Sequence, residues 1–247
     1  MTNGTVGAEH FGPVFRDRED AGWRLARRLK DRELRDPLVL AIPRGGVVTG
    51  AVVASELGAE LDVVLARKLR TPGQPELAIG AISEDGDVYL NALARRAPGV
   101  TEAYLRDERA HQLEEVRRRR RLFRAVRPET HVSGRSVIVA DDGIATGSTM
   151  LAALRVLNTR TPHEIIVAVP VAPRDLIELI RGQCSHVECL LALIEFDAVE
   201  QFYGDFHPVG DDEVMSLLRE FGGLDAGRAS AVQSAAVPGA NRGPVPR

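Results

Sequence analysis

Short apolar runs alternate with amphipathic segments over most of the chain, and this alternation predicts strands that alternate with helices. The run at 38–42 is unbroken, as is typical of a strand covered on both faces in a parallel sheet. Four further strands are predicted at 61–66, 136–140, 164–169 and 186–193. This order favours an α/β fold with a doubly wound, mainly parallel five-stranded sheet, whose ligands bind at the carboxyl ends of the strands.

Two helices are predicted around the first strand. Residues 20–34 place apolar side chains at i, i+3, i+4 and i+7, which indicates an amphipathic helix that either Asp17 or Asp20 caps. Residues 47–57 predict a second helix. It should end at Gly58, because glycine readily adopts the left-handed conformation found at helix C-termini.

Segments outside the alternating pattern set the predicted domain boundaries. Residues 1–10 are polar and unpatterned, and 222–247 are rich in Ala, Gly, Pro, Ser and Arg, so we expect a flexible N-terminus and a disordered tail or linker. Between them lies one domain, 11–221, with a helical insertion at about 84–133. The longest insertion helix, 102–124, is predicted to place five residues on one stripe: Ala110, Leu113, Val116, Arg120 and Phe123.

Composition places the 247-residue chain among ordinary globular proteins, with 44% hydrophobic and 27% charged residues. The formal net charge of −3 argues against binding to nucleic acid or a membrane surface through net charge. Two cysteines are too few for a disulfide framework, and no apolar run approaches the roughly 18 residues of a membrane span. We therefore expect a cytoplasmic protein without a membrane partner.

The most informative segment follows the third predicted strand. Asp141 and Asp142 come directly after the strand, and a turn rich in glycine and hydroxyl groups, 143–149, leads into a helix. Backbone N–H groups at a helix N-terminus form an anion site, and two adjacent carboxylates accept hydrogen bonds from neighbouring sugar hydroxyls. The segment therefore predicts a ribose 5-phosphate site, and the alternative is a turn with an aspartate cap.

Residues 141–149 resemble the signature of type I phosphoribosyltransferases, which bind 5-phosphoribosyl-1-pyrophosphate. The resemblance extends over about 11–221 and is closest to a group of predicted bacterial members. It implies that Asp141 and Asp142 hold the ribose hydroxyls. It also implies that the turn holds the 5-phosphate, through Gly143, Ala145, Thr146, Gly147, Ser148 and Thr149.

Two further motifs follow predicted strands and resemble parts of the same family. Residues 43–46 resemble its pyrophosphate loop, in which the glycines permit close backbone approach, so Arg44, Gly45 and Gly46 are assigned to pyrophosphate. Arg67 and Lys68 resemble the basic pair that opens a mobile loop closing over pyrophosphate. Without the other motifs, such a pair would be an ordinary solvated surface charge.

The acceptor of the phosphoribosyl group is less well defined by the sequence. Hypoxanthine-type enzymes carry an aspartate where this chain has Ala145, and the segment looks more like the adenine-type motif. In adenine-type enzymes a glutamate of the mobile loop contacts the base, and Glu76 is the candidate by position, with a solvated carboxylate as the alternative. The hood, which is the part of the family's fold that forms the acceptor pocket, is predicted at about 11–20 and 194–212. In it, Phe196, Phe202 and Tyr203 are candidates to stack on a base, and the alternative is that they are core residues.

The resemblance implies a transferase that moves phosphoribose to a nitrogen acceptor, with a nucleobase favoured, and that releases pyrophosphate. Arg67, Lys68, Asp141, Asp142 and Glu76 are the expected catalytic group. Mg²⁺ would be held by phosphate and ribose oxygens without an all-protein metal cage. A sugar-pyrophosphate-sensing regulator that binds nucleic acid through the arginines at 117–121 is the alternative, although these arginines favour a solvated helix or an oligomer contact. A module of a larger enzyme is a third interpretation.

Overall fold

The computed structural model describes residues 13–222. The predicted flexible segment 1–10 and nearly all of the predicted tail, 223–247, lie outside the described residues. The strands are β1 (Leu38–Ala41), β2 (Glu60–Val63), β3 (Ala66–Thr71), β4 (Gln74–Ser83), β5 (Val88–Leu90), β6 (Ser136–Ala140), β7 (Glu164–Pro173) and β8 (His186–Leu193). The helices are α1 (Arg18–Leu29), α2 (Gly45–Leu57), α3 (Glu102–Arg124), α4 (Ser148–Asn158), α5 (Arg174–Arg181) and α6 (211–222).

The central sheet has five parallel strands in the order β2-β1-β6-β7-β8, so the predicted fold class is confirmed. β1 lies between β2 and β6, with Ala41 opposite both Val63 and Ala140. The carboxyl ends of these three strands therefore meet at one edge of the sheet. The glycine loop follows β1, the acidic pair follows β6, and the basic pair follows β2.

The core has a layer on each face of this sheet, because successive strand side chains point to opposite faces. Leu38 and Leu40 of β1 pack with α4 and α5 on one face, and Val39 and Ala41 pack with α1, α2, α3 and α6 on the other. All four side chains are buried. The unbroken apolar run at 38–42 thus reflects a strand covered on both sides.

Helix boundaries follow local capping. α1 begins after Asp17, whose side chain accepts a hydrogen bond from the amide of Asp20, so Asp17 is the cap. This helix ends at Leu29, earlier than the predicted residue 34, because its buried apolar stripe ends there. α2 ends as predicted at Gly58, which is left-handed at φ 60°.

Arg67 and Lys68 were expected to open a loop, but they lie in β3, and the segment 67–76 forms the rest of β3, a turn and the start of β4. Gly73 has φ 71° in the turn, and the two strands pair antiparallel from Ala66 with Ser83 onwards. β5 completes a separate three-stranded sheet. The apolar side chains of the hairpin are buried against α3 and α4, and this burial stabilises the two strands. A short window of sequence does not predict these strands, because the contacts come from distant parts of the chain.

α3 has the predicted bounds, but the predicted stripe on it is partly wrong. Val116 and Phe123 are buried, whereas Ala110 and Arg120 are exposed. The buried face instead continues through polar side chains, Glu108 and Gln112. These polar groups are buried because α3 packs on the basic strand β3, where they find hydrogen-bond partners.

A buried ion-pair network ties the segment between β2 and β6 to the central sheet. Arg124 of α3 donates to Asp62 of β2 at 2.7 Å and to Glu84 at 2.8 Å. Both carboxylates are almost fully buried, and burial raises the pKa of Glu84 although Arg124 opposes that shift. Asp62 also accepts hydrogen bonds from the amides of Val63 and Thr130, so its oxygens are well satisfied.

Candidate functional site

The acidic pair after β6 lies against the glycine loop after β1. A Cβ atom at position 45 would lie 1.9 Å from Oδ2 of Asp142, and a Cβ atom at position 46 would lie 2.9 Å from Oδ1 of Asp141. Only glycine leaves room for the carboxylates at these distances. The Pro43–Arg44 peptide that opens the loop is cis, an unusual peptide geometry. The two predicted motifs therefore form one continuous surface at the sheet edge.

Arg18 of α1 holds the second carboxylate of the pair. Its Nε donates to Oδ2 of Asp142 at 2.7 Å, and its NH1 donates to the carbonyl of His207 at 2.8 Å. The guanidinium carbon lies 3.7 Å from the centroid of the Phe206 ring. Arg18 is 6% exposed, and sequence reasoning did not identify it as a site residue. The available signal was the charged segment at 16–20 within the stretch that carried the family resemblance.

Asp141 accepts its hydrogen bond from a backbone amide, whereas Asp142 accepts from the guanidinium of Arg18. The Oδ1 of Asp141 accepts a hydrogen bond from the amide of Asp142 at 2.9 Å. Burial, and then the nearby charge of Asp142, raise the pKa of Asp141 well above its usual range, while Arg18 acts in the opposite direction. Ligand hydroxyl groups that donate to this carboxylate would stabilise its charged form.

The glycine and hydroxyl turn forms the start of α4. Gly147 is the N-cap residue and is left-handed at φ 71°, and the Thr146 hydroxyl lies 3.3 Å from that of Ser148. Amides in the first turn of a helix have no carbonyl partner within the helix and carry its positive dipole end. Ala145, Thr146 and Thr149 are exposed. The turn, which begins at Gly143, therefore has the donors and the access that a phosphate group needs.

A cavity of about 260 Å³ lies beside the glycine loop and the start of α4. Its wall includes Thr149 from the turn and Arg67 and Lys68 from β3, so the basic pair is at the same site as the other motifs. The Nε of Arg67 donates to Gln112 of α3 at 2.9 Å, which fixes its direction. Arg44 is exposed on the loop. Arg119 of α3 also lines the cavity, although the sequence favoured a solvated helix or an oligomer contact for the arginines at 117–121.

The predicted acceptor residues are only partly available. Phe202 and Tyr203 are 3% and 5% exposed, so neither ring has a face free to stack on a base in this structure, and both fit the alternative that they are core residues. They pack in an aromatic cluster with Phe15, and the Tyr203 hydroxyl donates to the carbonyl of Asp142 at 2.6 Å. Phe196 is half-buried against Phe202, with ring centroids 5.6 Å apart.

Glu76 lies in β4, near the tip of the hairpin, rather than in a loop. Its side chain is outside the described residues. Its predicted contact with a base therefore stays a prediction.

A family model, the phosphoribosyl transferase domain, matches residues 17–205. The chain belongs to this family. The match includes the acidic pair, the phosphate turn, the glycine loop and the basic pair, so the motifs that carried the resemblance lie inside the family's domain.

Relatives of known sequence and structure agree with this assignment. The chain is 40% identical over 225 residues to "Putative phosphoribosyl transferase Rv0571c" of Mycobacterium tuberculosis H37Rv, and equally to its counterpart in strain CDC 1551, MT0597. Each alignment covers 91% of this chain and 51% of the relative, so the chain spans about half the length of these relatives. The crystal structure of TT1426 from Thermus thermophilus is similar with a TM-score of 0.78 and 43% identity, over 84% of this chain and 98% of that one.

Residues 13–222 contain neither a membrane-spanning helix nor a ready metal cluster. None of the helices in this range combines the length and the apolar character needed to cross a bilayer. In the same range, no cluster of three or more His, Cys, Asp or Glu side chains is arranged to hold a metal ion.

Proposed function

We propose that this protein binds 5-phosphoribosyl-1-pyrophosphate and transfers its phosphoribosyl group to a nitrogen acceptor of the nucleobase class, releasing pyrophosphate. One observation carries the proposal: the acidic pair and the glycine loop are in direct contact at the sheet edge, at positions 45 and 142. The phosphate turn continues from the pair, and the cationic cavity lies beside it. Each group of the sugar pyrophosphate thus has a complementary surface within one site.

The proposed reaction breaks the bond between the anomeric carbon and pyrophosphate through a transition state resembling an oxocarbenium ion. Charge then accumulates on the leaving group, and catalysis requires that charge to be stabilised more strongly than in the ground state. Arg44, Arg67 and Lys68 supply positive charge on the side where pyrophosphate departs. The turn at 146–149 holds the 5-phosphate, and Asp141 and Asp142 orient the ribose through its hydroxyls.

Mg²⁺ fits this donor set as a proposed cofactor. It prefers oxygen ligands and retains bonds to phosphate and water, so a single carboxylate such as Asp141 suffices beside a pyrophosphate. Asp142 is already paired with Arg18 and is the less available ligand. When bound, Mg²⁺ would neutralise charge on the pyrophosphate oxygens.

The proposal of a nucleobase acceptor rests on the family resemblance and on Phe196 in the hood. Phe196 is the least buried of the three predicted aromatics.

The alternative function, a regulator that binds nucleic acid through the arginines of α3, has less support. Arg118 pairs with Asp211 at 3.1 Å, and Arg120 lies 3.6 Å from Glu84. The charges of Arg118 and Arg120 are therefore neutralised in part by acidic side chains of the same chain, which weakens the case for a basic surface at 117–121.

Location in the cytoplasm is part of the proposal. Cys184 and Cys189 are both unpaired thiols, which suits a reducing compartment.

Titration calorimetry with the sugar pyrophosphate and Mg²⁺ tests the proposal. We expect binding by the wild type and a loss of about tenfold or more in Asp141→Asn, because a charge-assisted hydrogen bond to a ribose hydroxyl is lost. Asp107→Asn on α3, whose side chain is 80% exposed, is the matched control and should bind as wild type. No binding by wild type, or equal binding by both variants, would reject the ribose site. Pyrophosphate release with a panel of bases then separates a transferase from a binding protein.

A further inference from the structure

The cationic cavity has a wall that comes from the insertion helix α3. Gln112, Val116 and Arg119 lie at i, i+4 and i+7, so they share one face of the helix, and this face covers the cavity. Gln112 holds Arg67 through the 2.9 Å hydrogen bond described above. α3 therefore both orients one cation of the cavity and contributes another.

Arg119 is half-buried, and it has no carboxylate partner in the described residues. Arg118, Arg120 and Arg124 each form ion pairs with acidic side chains. The guanidinium of Arg119 instead reaches the carbonyl of Pro43 in the glycine loop, at a long 3.4 Å. Within residues 13–222 its buried Nε has no hydrogen-bond partner, and a buried donor without a partner is energetically unfavourable.

The surroundings of Arg119 are positively charged. Burial lowers the pKa of Arg119 from its usual value, and the neighbouring charges of Arg67 and Arg44 lower it further, with Asp211 opposing them. A cluster of like charges around a half-buried guanidinium is destabilising. A multiply charged anion in the cavity would satisfy the free donor and offset the repulsion.

We propose that Arg119 is a binding residue of the pyrophosphate subsite, where its guanidinium donates hydrogen bonds to pyrophosphate oxygens alongside Arg67 and Lys68. This inference rests on the proposed function, and it adds a cation from α3, an element outside the motifs that identified the site. It also gives the insertion helix a role in binding the leaving group, in addition to covering the antiparallel sheet.

Titration calorimetry with two separate probes tests the inference. Inorganic pyrophosphate with Mg²⁺ reports the leaving-group side, and ribose 5-phosphate reports the sugar-phosphate side. We expect Arg119→Gln to weaken pyrophosphate binding about tenfold or more, because a charge-assisted hydrogen bond is lost. Its affinity for ribose 5-phosphate should stay within about twofold of wild type, because a probe without pyrophosphate lacks this bond. Arg119→Lys keeps the charge and should retain more pyrophosphate affinity than Arg119→Gln.

Arg121→Gln is the matched control, since Arg121 is exposed on the same helix. It should bind both probes as wild type does, and thermal unfolding should show all three variants folded. Equal pyrophosphate affinities of the Arg119→Gln and Arg121→Gln variants would overturn the inference. It would also be overturned if Arg119→Gln lost affinity for both probes equally, or if Arg119→Lys bound pyrophosphate no more tightly than Arg119→Gln. Wild-type protein that binds ribose 5-phosphate but not pyrophosphate also overturns it. Wild-type protein that binds neither probe refutes the proposed function itself.

Discussion

Replacing Gly45 by alanine tests whether the glycine loop and the acidic pair form one binding surface. The added Cβ would lie 1.9 Å from Oδ2 and 2.7 Å from Cγ of Asp142, and 2.9 Å from Nε of Arg18. Nonbonded atoms of this kind sit about 3.5 Å apart, so the carboxylate or the loop must shift by about 1.5 Å. Such a shift exceeds what the 2.7 Å hydrogen bond between Arg18 and Asp142 can absorb.

The size of the effect follows from this contact. Overpacking a well-packed site costs about 1–3 kcal/mol, and separating the partners of a buried ion pair costs up to about 3–5 kcal/mol. We expect Gly45→Ala to lower the free energy of unfolding by about 2–4 kcal/mol, between these limits. The affinity for the sugar pyrophosphate should fall about tenfold to a hundredfold, because a displaced carboxylate loses a charge-assisted hydrogen bond to the ribose.

Thermal unfolding and titration calorimetry measure the two effects. Gly182→Ala is the control, because Gly182 has φ −72° and a Cβ there would lie 3.6 Å from its nearest neighbour, the carbonyl oxygen of Leu179. That substitution should leave both quantities close to wild type. A Gly45→Ala protein with wild-type melting temperature and wild-type affinity would refute the close approach of loop and carboxylate.

Three further predictions concern charged groups. Arg18→Leu leaves Asp142 unpaired and should lower the free energy of unfolding, measured by urea denaturation, by about 3–5 kcal/mol. Arg24→Leu removes an exposed ion pair and should lower the free energy of unfolding by less than about 1 kcal/mol. Equal losses in the two variants would contradict the buried pairing of Arg18 with Asp142. Arg124→Met should be destabilising at neutral pH. Burial raises the pKa of Glu84 and Arg124 opposes that shift, so the pKa should rise further in the variant, and the folded variant should gain more than wild type from protonating Glu84. The deficit should therefore shrink as pH falls from neutral towards that pKa, and a deficit that grows would count against this assignment. The raised pKa of Asp141 means that sugar-pyrophosphate binding, which uses the charged carboxylate, should weaken as pH falls through that pKa. In calorimetry, the affinity of Asp141→Asn should depend less on pH than that of wild type. The same pH dependence of affinity in both proteins would refute the role of the Asp141 charge.

Much of the central fold was predictable because local sequence encodes it. The apolar runs of β1, β6 and β7 are continuous, and each of these strands is covered on both faces. Glycine and aspartate caps defined helix ends, at Gly58 and Asp17, from one or two residues. The acidic pair and the glycine loop were also found in sequence, because their residue types are required at fixed positions after a strand.

Other features depended on contacts between distant parts of the chain. Arg18 lies 124 positions before Asp142, and only the folded chain shows that α1 delivers its guanidinium to the carboxylate. The burial of Phe202 and Tyr203 has the same origin, since their cover comes from Phe15 and the strand ends. Composition cannot distinguish an aromatic ring that lines a pocket from one that fills a core.

The sequence by itself therefore determined the layered α/β architecture and the order of the site motifs, since hydrophobic periodicity and turn chemistry act over a few residues. Tertiary structure alone decided that 66–90 forms an antiparallel sheet and that α3 buries Glu108 and Gln112. It also decided that Arg119 faces the cavity while adjacent arginines pair with carboxylates. The physical reason is that a charged side chain takes its role from the partners and the solvent around it, and these are set by packing across the whole chain.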